Sequence, residues 1–178
     1  MIIKQYHPEL KKQIIALQKL YWHSTSDYPA NPNTYATAFV MIHQGTVIGH
    51  VAISQKSFTL KNHTYIAYGL NEVITHPHYQ GKGIALKLIK AANDFIINQN
   101  CDISIFTCQK ELVNLYTKAN WKPLKNSYLV GGTIAHPFSS KELNLVTMIK
   151  FISPFSKIHQ KDFENTEILI ELGENKLW

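Results

Sequence analysis

Apolar residues follow two different periods along the first eighty residues of the chain. Short alternating runs, which are typical of strands, occupy residues 1–6, 36–43, 46–58 and 65–75. After the first run, Pro8 opens a helical pattern whose apolar face comprises Leu10, Ile14, Leu17, Leu20 and Tyr21. These elements are separated by turn-forming residues at 23–33, 44–45 and 61–63. The first part of the chain therefore predicts one helix and four strands.

The period changes at Gly83, where a second helical pattern begins and continues to residues 98–100. Beyond it, the pattern predicts a strand at 103–108, a helix at 111–119, an extended stretch from Trp121 and a strand at 144–152. Residues 166–172 fit a late strand or a short helix. The order of elements predicts one mixed α/β domain over residues 1–178.

Composition supports an ordinary folded chain. Apolar residues make up 45% and charged residues 17% of the 178 residues, which is usual for one globular domain. The apolar runs are too short to span a bilayer, and the N-terminus lacks the pattern of a signal peptide. We therefore expect a cytoplasmic protein without membrane contact. Cys101 and Cys108 are the only cysteines, and we expect both to be buried free thiols.

The net charge of +6 favours an anionic ligand. Five of the twelve acidic residues lie close together near the end of the chain, namely Asp162, Glu164, Glu167, Glu171 and Glu174. The preceding part is therefore more basic than the total indicates. Because the basic residues form no block, the pattern predicts a phosphate-rich ligand and no nucleic acid. His76 and His78 have no evident third ligand beside them, so we expect no metal site.

A glycine-rich turn, Tyr79-Gln80-Gly81-Lys82-Gly83-Ile84-Ala85, joins the strand at 65–75 to the second helix. Gly81 and Gly83 allow the backbone to approach a ligand closely, and Lys82 adds a positive charge. The helix N-terminus offers backbone N–H groups, so the segment suits a pyrophosphate. Glycines that serve the turn alone are the alternative. The spacing is neither that of a P-loop nor that of the dinucleotide fingerprint.

The run Gln80-x-x-Gly83-x-Ala85 resembles the Q/R-x-x-G-x-G/A signature of the GNAT superfamily of acyl-CoA N-acyltransferases. The preceding strand, which ends in Val73-Ile74-Thr75-His76-Pro77, and the amphipathic helix that follows are similar to the family's flanking elements. A second block, Leu-Tyr-Thr-Lys-Ala-Asn-Trp at 115–121, resembles the family's later helix-to-strand motif. The resemblance implies a mixed, mostly antiparallel central sheet flanked by helices, with acetyl-CoA as co-substrate.

The resemblance also implies where acetyl-CoA binds and how the reaction proceeds. Its pyrophosphate would lie on the backbone N–H groups of Gln80, Gly81, Lys82, Gly83, Ile84 and Ala85. Its pantetheine arm would follow Val73, Ile74 and Thr75. The amine would attack the thioester directly, and Tyr116 would donate the proton to the departing thiolate. A tyrosine packed at a helix surface is the alternative for Tyr116.

Glu72 is the only carboxylate in the central strand, which makes it the candidate general base. A strand residue that faces solvent is the alternative. Asn71 and Glu72 would point to opposite faces of an extended strand, so only one of them would face the cleft. If Asn71 does, the base lies elsewhere or water removes the proton.

The chain is also distantly similar to the aminoglycoside 2′-N-acetyltransferases. The similarity lies in the Leu-Tyr-x-x-x-x-Trp-x-Pro run at 115–123 and in a chain that stops at Trp178. It implies substrate contacts by Asp27, Asn71, Glu142 and Trp178, with a frayed tail as the alternative for the last of these. Asn71 stands where those enzymes carry a glutamate, and Lys176 stands where they carry an aspartate. Lys176 should repel highly cationic amines.

The main hypothesis from the sequence is acetyl transfer from acetyl-CoA to a primary amine of a small molecule, aminoglycoside-like amines included. One alternative is acetylation of a protein N-terminus or lysine. Another is a non-catalytic acyl-CoA-binding module, in which Tyr116 and Glu72 would be dispensable. The sequence leaves the acyl length and the oligomeric state open, with a homodimer among the options.

Overall fold

The computed structural model describes residues 1–178, which divide into two units. The first comprises residues 1–54 and 70–95, and the second comprises residues 55–69 and 96–178. Two long strands, β3 (Thr46–Leu60) and β4 (His63–Thr75), contribute residues to both units. The sequence-based prediction of a single domain over residues 1–178 stays a prediction.

The first unit contains β1 (Ile2–Gln5), α1 (Lys11–Lys19), β2 (Tyr35–His43), parts of β3 and β4, and most of α2 (Ile84–Ile97). Its strand order is β1-β2-β3-β4, and the β1–β2 and β2–β3 pairs are antiparallel. Gln44 and Gly45 both have positive φ, as the tight turns of β-hairpins require, so the predicted hairpin between β2 and β3 is confirmed.

The core of the first unit lies between α1 and the strands. Leu10, Ile14 and Leu17 are buried against residues of β2, β3 and β4 that include Val40 and Ile74. The predicted apolar face of this helix was too long, because α1 ends at Lys19. The two last members of that face, Leu20 and Tyr21, are accordingly exposed.

The second unit begins with the end of β3 and the first half of β4. It continues with β5 (Ile103–Cys108), α3 (Val113–Thr117), β6 (Lys122–Pro123), β7 (Tyr128–Gly132), β8 (Pro137–Ser139), β9 (Val146–Phe151), α4 (Pro154–Ile158) and β10 (Glu167–Leu169). The strand order is β4-β5-β9-β6, with β4–β5 parallel and the other two pairs antiparallel. The predicted α/β class with a mostly antiparallel central sheet is confirmed.

A separate three-stranded sheet, in the order β10-β7-β8, was not predicted. The segment at 166–172 resolves as the short strand β10, which pairs parallel to β7. Helix α4 was also missed, although Ser153 caps it by accepting a hydrogen bond from the Ser156 N–H at 3.1 Å. None of the four α-helices combines the length and the apolar character that a membrane-spanning helix requires.

The core of the second unit contains a cluster of three aromatic side chains. Trp121 is buried, and its indole N–H donates to Ser104 Oγ at 3.0 Å, which satisfies the one polar group of the ring. The Phe106 ring lies between Trp121 and Tyr116, with centroid distances of 5.6 and 4.7 Å. Cys101 and Cys108 are free and buried, as predicted.

Candidate active site

The glycine-rich turn lies between β4 and α2 in the first unit. β4 ends at Thr75, a 3₁₀ turn follows at Pro77–Tyr79, and α2 begins at Ile84. Gly81 and Gly83 have φ of +75° and +73°, a conformation that L side chains rarely adopt. A Cβ added at either residue would meet no atom within 4 Å. The glycines are therefore required by backbone conformation, and open space lies beside both.

The first turn of α2 presents its backbone N–H groups to this space. Lys87 donates its N–H to the Gly83 carbonyl at 3.1 Å, so the N–H groups of the three preceding residues have no partner within the helix. The Ile84 side chain is buried, and together with Leu88 it packs where Gly49 of β3 has no Cβ. Ile84 can therefore offer a ligand only its backbone N–H.

Two side chains tie the turn to the rest of the first unit. Tyr21 donates its hydroxyl hydrogen to the Thr75 carbonyl, and the Gln80 amide donates to the Tyr21 hydroxyl oxygen at 2.8 Å. The exposed Lys82 ammonium donates to the His78 carbonyl at 3.2 Å. Tyr21 was placed on the apolar face of α1 from the sequence, and only the structure connects it to this turn.

Glu72 interrupts the regular conformation of β4. Its φ of +51° lies in the left-handed region, so the alternation of side chains assumed for Asn71 and Glu72 does not hold at this position. The Gln18 amide of α1 donates to Glu72 Oε2 at 2.8 Å. One oxygen of the candidate base is therefore oriented by a buried amide.

A buried histidine fixes the backbone at this irregular residue. His50 of β3 lies 2.9 Å by its Nδ1 from the Glu72 carbonyl oxygen, and its Nε2 lies 2.9 Å from the Tyr28 hydroxyl. Because a carbonyl only accepts, Nδ1 carries the hydrogen, and Nε2 accepts from Tyr28. Burial lowers the pKa of His50 to about 4, which keeps the ring neutral at physiological pH.

No role was assigned to His50 from the sequence. The available signal was a histidine within the predominantly apolar run of β3. A buried polar side chain in such a run requires hydrogen-bond partners, but the sequence does not identify them.

The other candidate contacts of the first unit already have partners. The Asn71 amide donates to Ser54 Oγ at 2.8 Å. Asp27 is exposed and lies 2.5 Å from the Lys11 ammonium. That hydrogen-bonded ion pair and the Tyr28 N–H lower the pKa of Asp27, so its negative charge is balanced before any substrate arrives.

Val73 is half-buried, whereas the Ile74 and Thr75 side chains are buried.

Tyr116 belongs to the second unit, where α3 holds it against Phe106 of β5. The residue is 5% exposed, and burial raises the pKa of its hydroxyl, with a further contribution from Cys108. The phenol is therefore protonated at neutral pH, as a proton donor must be.

Trp178 and Glu142 also belong to the second unit, where they differ in exposure. Trp178 is buried, and its carbonyl oxygen accepts from the Thr107 N–H at 2.8 Å and from the Thr107 hydroxyl. The frayed tail considered from the sequence is therefore wrong for this residue. Glu142 is exposed in the turn between β8 and β9.

One protein family matches a part of the chain that includes both sequence motifs, the glycine-rich turn and the block at 115–121. The model of the Acetyltransferase (GNAT) family matches residues 6–121, a span that contains β4, the turn, α2, β5 and α3. No curated protein matches the chain in sequence.

Solved structures show the same fold at low sequence identity. The E. coli GNAT family N-acetyltransferase YhbS in complex with CoA has a TM-score of 0.66 and 15% identity, with 99% of this chain and 93% of that one covered. A GNAT family acetyltransferase from Brucella melitensis in complex with acetyl-CoA has a TM-score of 0.55 and 18% identity, with coverage of 68% and 82%.

An aminoglycoside 6′-N-acetyltransferase from Enterococcus faecium has a TM-score of 0.57 and 15% identity, with 86% of this chain and 98% of that one covered. The chain spans 32% of one longer structure that it also matches. At these identities the likeness concerns the fold, and it confirms the mixed sheet and flanking helices expected from the sequence.

Proposed function

The chain belongs to the acetyltransferase (GNAT) family, and we propose that it transfers an acetyl group from acetyl-CoA to a primary amine of a small molecule. The observation that carries the proposal is the turn before α2. There, two glycines with positive φ border open space beside the unpaired N–H groups of a fourteen-residue helix.

The pyrophosphate of acetyl-CoA binds the backbone of residues 80–85 in this proposal. The helix N-terminus supplies hydrogen-bond donors and partial positive charge, and Lys82 adds a full charge at the exposed side. The pantetheine arm follows the backbone of Val73, Ile74 and Thr75. Because the side chains of Ile74 and Thr75 are buried, their contribution to binding comes from main-chain groups.

The amine attacks the thioester carbon directly, the carbon–sulfur bond breaks, and the thiolate leaves. Glu72, or a water molecule beside it, removes a proton from the substrate ammonium, so that the free amine can attack. Gln18 and His50 hold Glu72 in place. Tyr116 protonates the departing thiolate. Its raised pKa keeps the proton available at neutral pH.

The acceptor in this proposal is an amine with few positive charges. Asp27 is already paired with Lys11, so it offers no unbalanced negative charge to a polycation. The exposed Lys176 carries a positive charge that repels one. Aminoglycosides are therefore poorer acceptors than small monoamines. We also place the enzyme in the cytoplasm, where two free thiols remain reduced.

A thiol-release assay tests this function. The purified chain is incubated with acetyl-CoA and a panel that contains monoamines, diamines, an aminoglycoside and a peptide with a free N-terminus. We expect thiol release with small monoamines above the rate of hydrolysis without amine. If the protein binds CoA but no amine raises the rate, transfer is refuted and the binding-module alternative is favoured.

A further inference from the structure

Two histidines and an aspartate converge on one side of the second unit, outside the candidate active site. His63 is the first residue of β4, His159 directly follows α4, and Asp162 lies in the 3₁₀ turn after it. One ligand atom from each residue lies within 4.8 Å of the other two. No predicted motif included these residues, because they are far apart in the chain and meet only in the fold.

We propose that His63, His159 and Asp162 form a binding site for Zn²⁺, with water as the fourth ligand. Asp162 Oδ2 lies 3.5 Å from the Nδ1 atoms of both His63 and His159. Tetrahedral coordination with zinc–ligand distances of about 2.0–2.1 Å places neighbouring ligand atoms about 3.4 Å apart. The two distances from Asp162 Oδ2 therefore match those between ligands that share one zinc ion.

The same distances do not suit direct hydrogen bonds. Nitrogen–oxygen hydrogen bonds in proteins are about 2.7–3.2 Å long, and the buried Nδ1 of His63 has no hydrogen-bond partner in the structure. Imidazole nitrogens and a carboxylate oxygen are all ligand atoms that zinc accepts, and one from each residue lies within reach of a shared cation.

The charge balance also leaves the site available to a cation. The Lys61 ammonium lies 3.9 Å from Asp162 Oδ1, which is the carboxylate oxygen away from the two Nδ1 contacts. The side chains of His63, His159 and Asp162 are 36%, 29% and 24% exposed, so the cluster borders solvent although the Nδ1 atom of His63 is itself buried. Lys61 therefore stabilises the carboxylate without occupying the position between the imidazoles.

Neighbouring aromatic residues hold the three ligands in place. Phe163, which follows Asp162, is fully buried and packs on Tyr65 of β4 with a centroid distance of 5.0 Å. The Phe155 ring of α4 lies against the imidazoles of both His63 and His159, at 5.5 and 4.6 Å. These aromatic contacts restrict the ligands before a metal binds, which lowers the entropic cost of coordination.

Calorimetric titration of ZnCl₂ into the tag-free, chelator-treated chain of residues 1–178 tests the proposal. We expect one equivalent of zinc to bind and the melting temperature to rise with zinc concentration. Co²⁺ should give the strong visible absorption of tetrahedral coordination. Asp162→Asn and His159→Gln should each raise the Kd for zinc at least tenfold and abolish the zinc-dependent rise in melting temperature.

The control is His136→Gln. His136 also faces a carboxylate, that of Glu174 at 3.8 Å, but both side chains are largely exposed and no third ligand accompanies them. This variant should bind zinc as the wild type does. Absence of zinc binding by the wild type would overturn the proposal, as would equal affinity in the folded wild-type and Asp162→Asn proteins.

Discussion

The indole ring of Trp178 lies directly on the backbone of Gly69 in β4. A Cβ at Gly69 would be 2.3 Å from the ring carbon Cε3, which is far inside van der Waals contact. The Trp178 ring therefore occupies the space that a side chain at residue 69 would need. The carbonyl oxygen of the same tryptophan accepts hydrogen bonds from Thr107 of β5. The end of the described chain is held by ring packing on β4 and by main-chain hydrogen bonding to β5.

Gly69→Ala should lower the free energy of unfolding by about 2–3 kcal/mol, because the added methyl group must displace the ring. The same substitution made in a Trp178→Ala protein should have an effect near zero. Chemical denaturation of the wild type, the two single variants and the double variant measures this coupling. A loss of equal size in both backgrounds would contradict the contact.

A glycine substitution in the candidate phosphate site can distinguish lost CoA binding from a general effect of backbone strain. Gly83→Ala should weaken the binding of CoA at least tenfold, because the methyl group enters the open space beside the N–H groups of α2. Calorimetry with CoA measures the change.

Gly45→Ala is the matched control for this variant. Gly45 has φ of +77° and open space around it, but it lies in the hairpin between β2 and β3. Both substitutions should cost about 1–2 kcal/mol of stability, since each places an L residue in the left-handed region. If the two variants bind CoA equally well, the turn before α2 is not the phosphate site.

Sequence patterns predicted the elements that depend on local order. β5 covers the residues expected, and the hairpin at Gln44 and Gly45 was indicated by a glycine, which tolerates positive φ. The glycine-rich turn was likewise evident, because glycine spacing before a helix is a local signal.

Features that depend on tertiary contacts could not be predicted in this way. The left-handed conformation of Glu72 has no local signal, since a glutamate in an apolar strand normally has extended backbone. The hydrogen bond from His50 to the Glu72 carbonyl joins two strands and forms only when the chain folds. The docking of Trp178 on Gly69 joins residues far apart in the chain. β7 was missed because it is short and its apolar and polar residues alternate only weakly. Its partners β8 and β10 are short as well, and the three strands pair only in the fold.

The proposed role of Tyr116 as proton donor predicts a selective loss of turnover. Tyr116→Phe keeps the ring packed on Phe106 but removes the hydroxyl, so kcat should fall about 10²-fold while the Kd for CoA stays unchanged. Steady-state kinetics with the best amine of the panel measures kcat.

Tyr65→Phe is the control for removal of a buried hydroxyl. The Tyr65 hydroxyl has no hydrogen-bond partner in the structure, so its loss should leave kcat at the wild-type value. Full turnover by Tyr116→Phe would assign Tyr116 to packing alone, and equal losses in both variants would point to a general effect on the core of the second unit.

The buried His50 makes stability depend on pH in a defined direction. Its pKa is lowered from 6.5 to about 4 in the folded protein, mainly by burial. Below pH 6.5 the unfolded chain binds a proton at this residue, whereas the folded chain binds none until the pH approaches 4. The free energy of unfolding should therefore fall as the pH decreases through this window, by about 3 kcal/mol in total from His50 alone.

Denaturant unfolding between pH 7 and pH 4 measures this slope in the wild type and in His50→Gln. Glutamine does not titrate, so the variant should be less stable at pH 7 but should lose less stability on acidification. His23→Gln, in an exposed loop, should keep the full wild-type slope. If His50→Gln fails to fold, NMR titration of the wild-type imidazoles measures the pKa of His50 directly. A value near the ordinary 6.5 would refute the buried, neutral ring that holds Glu72.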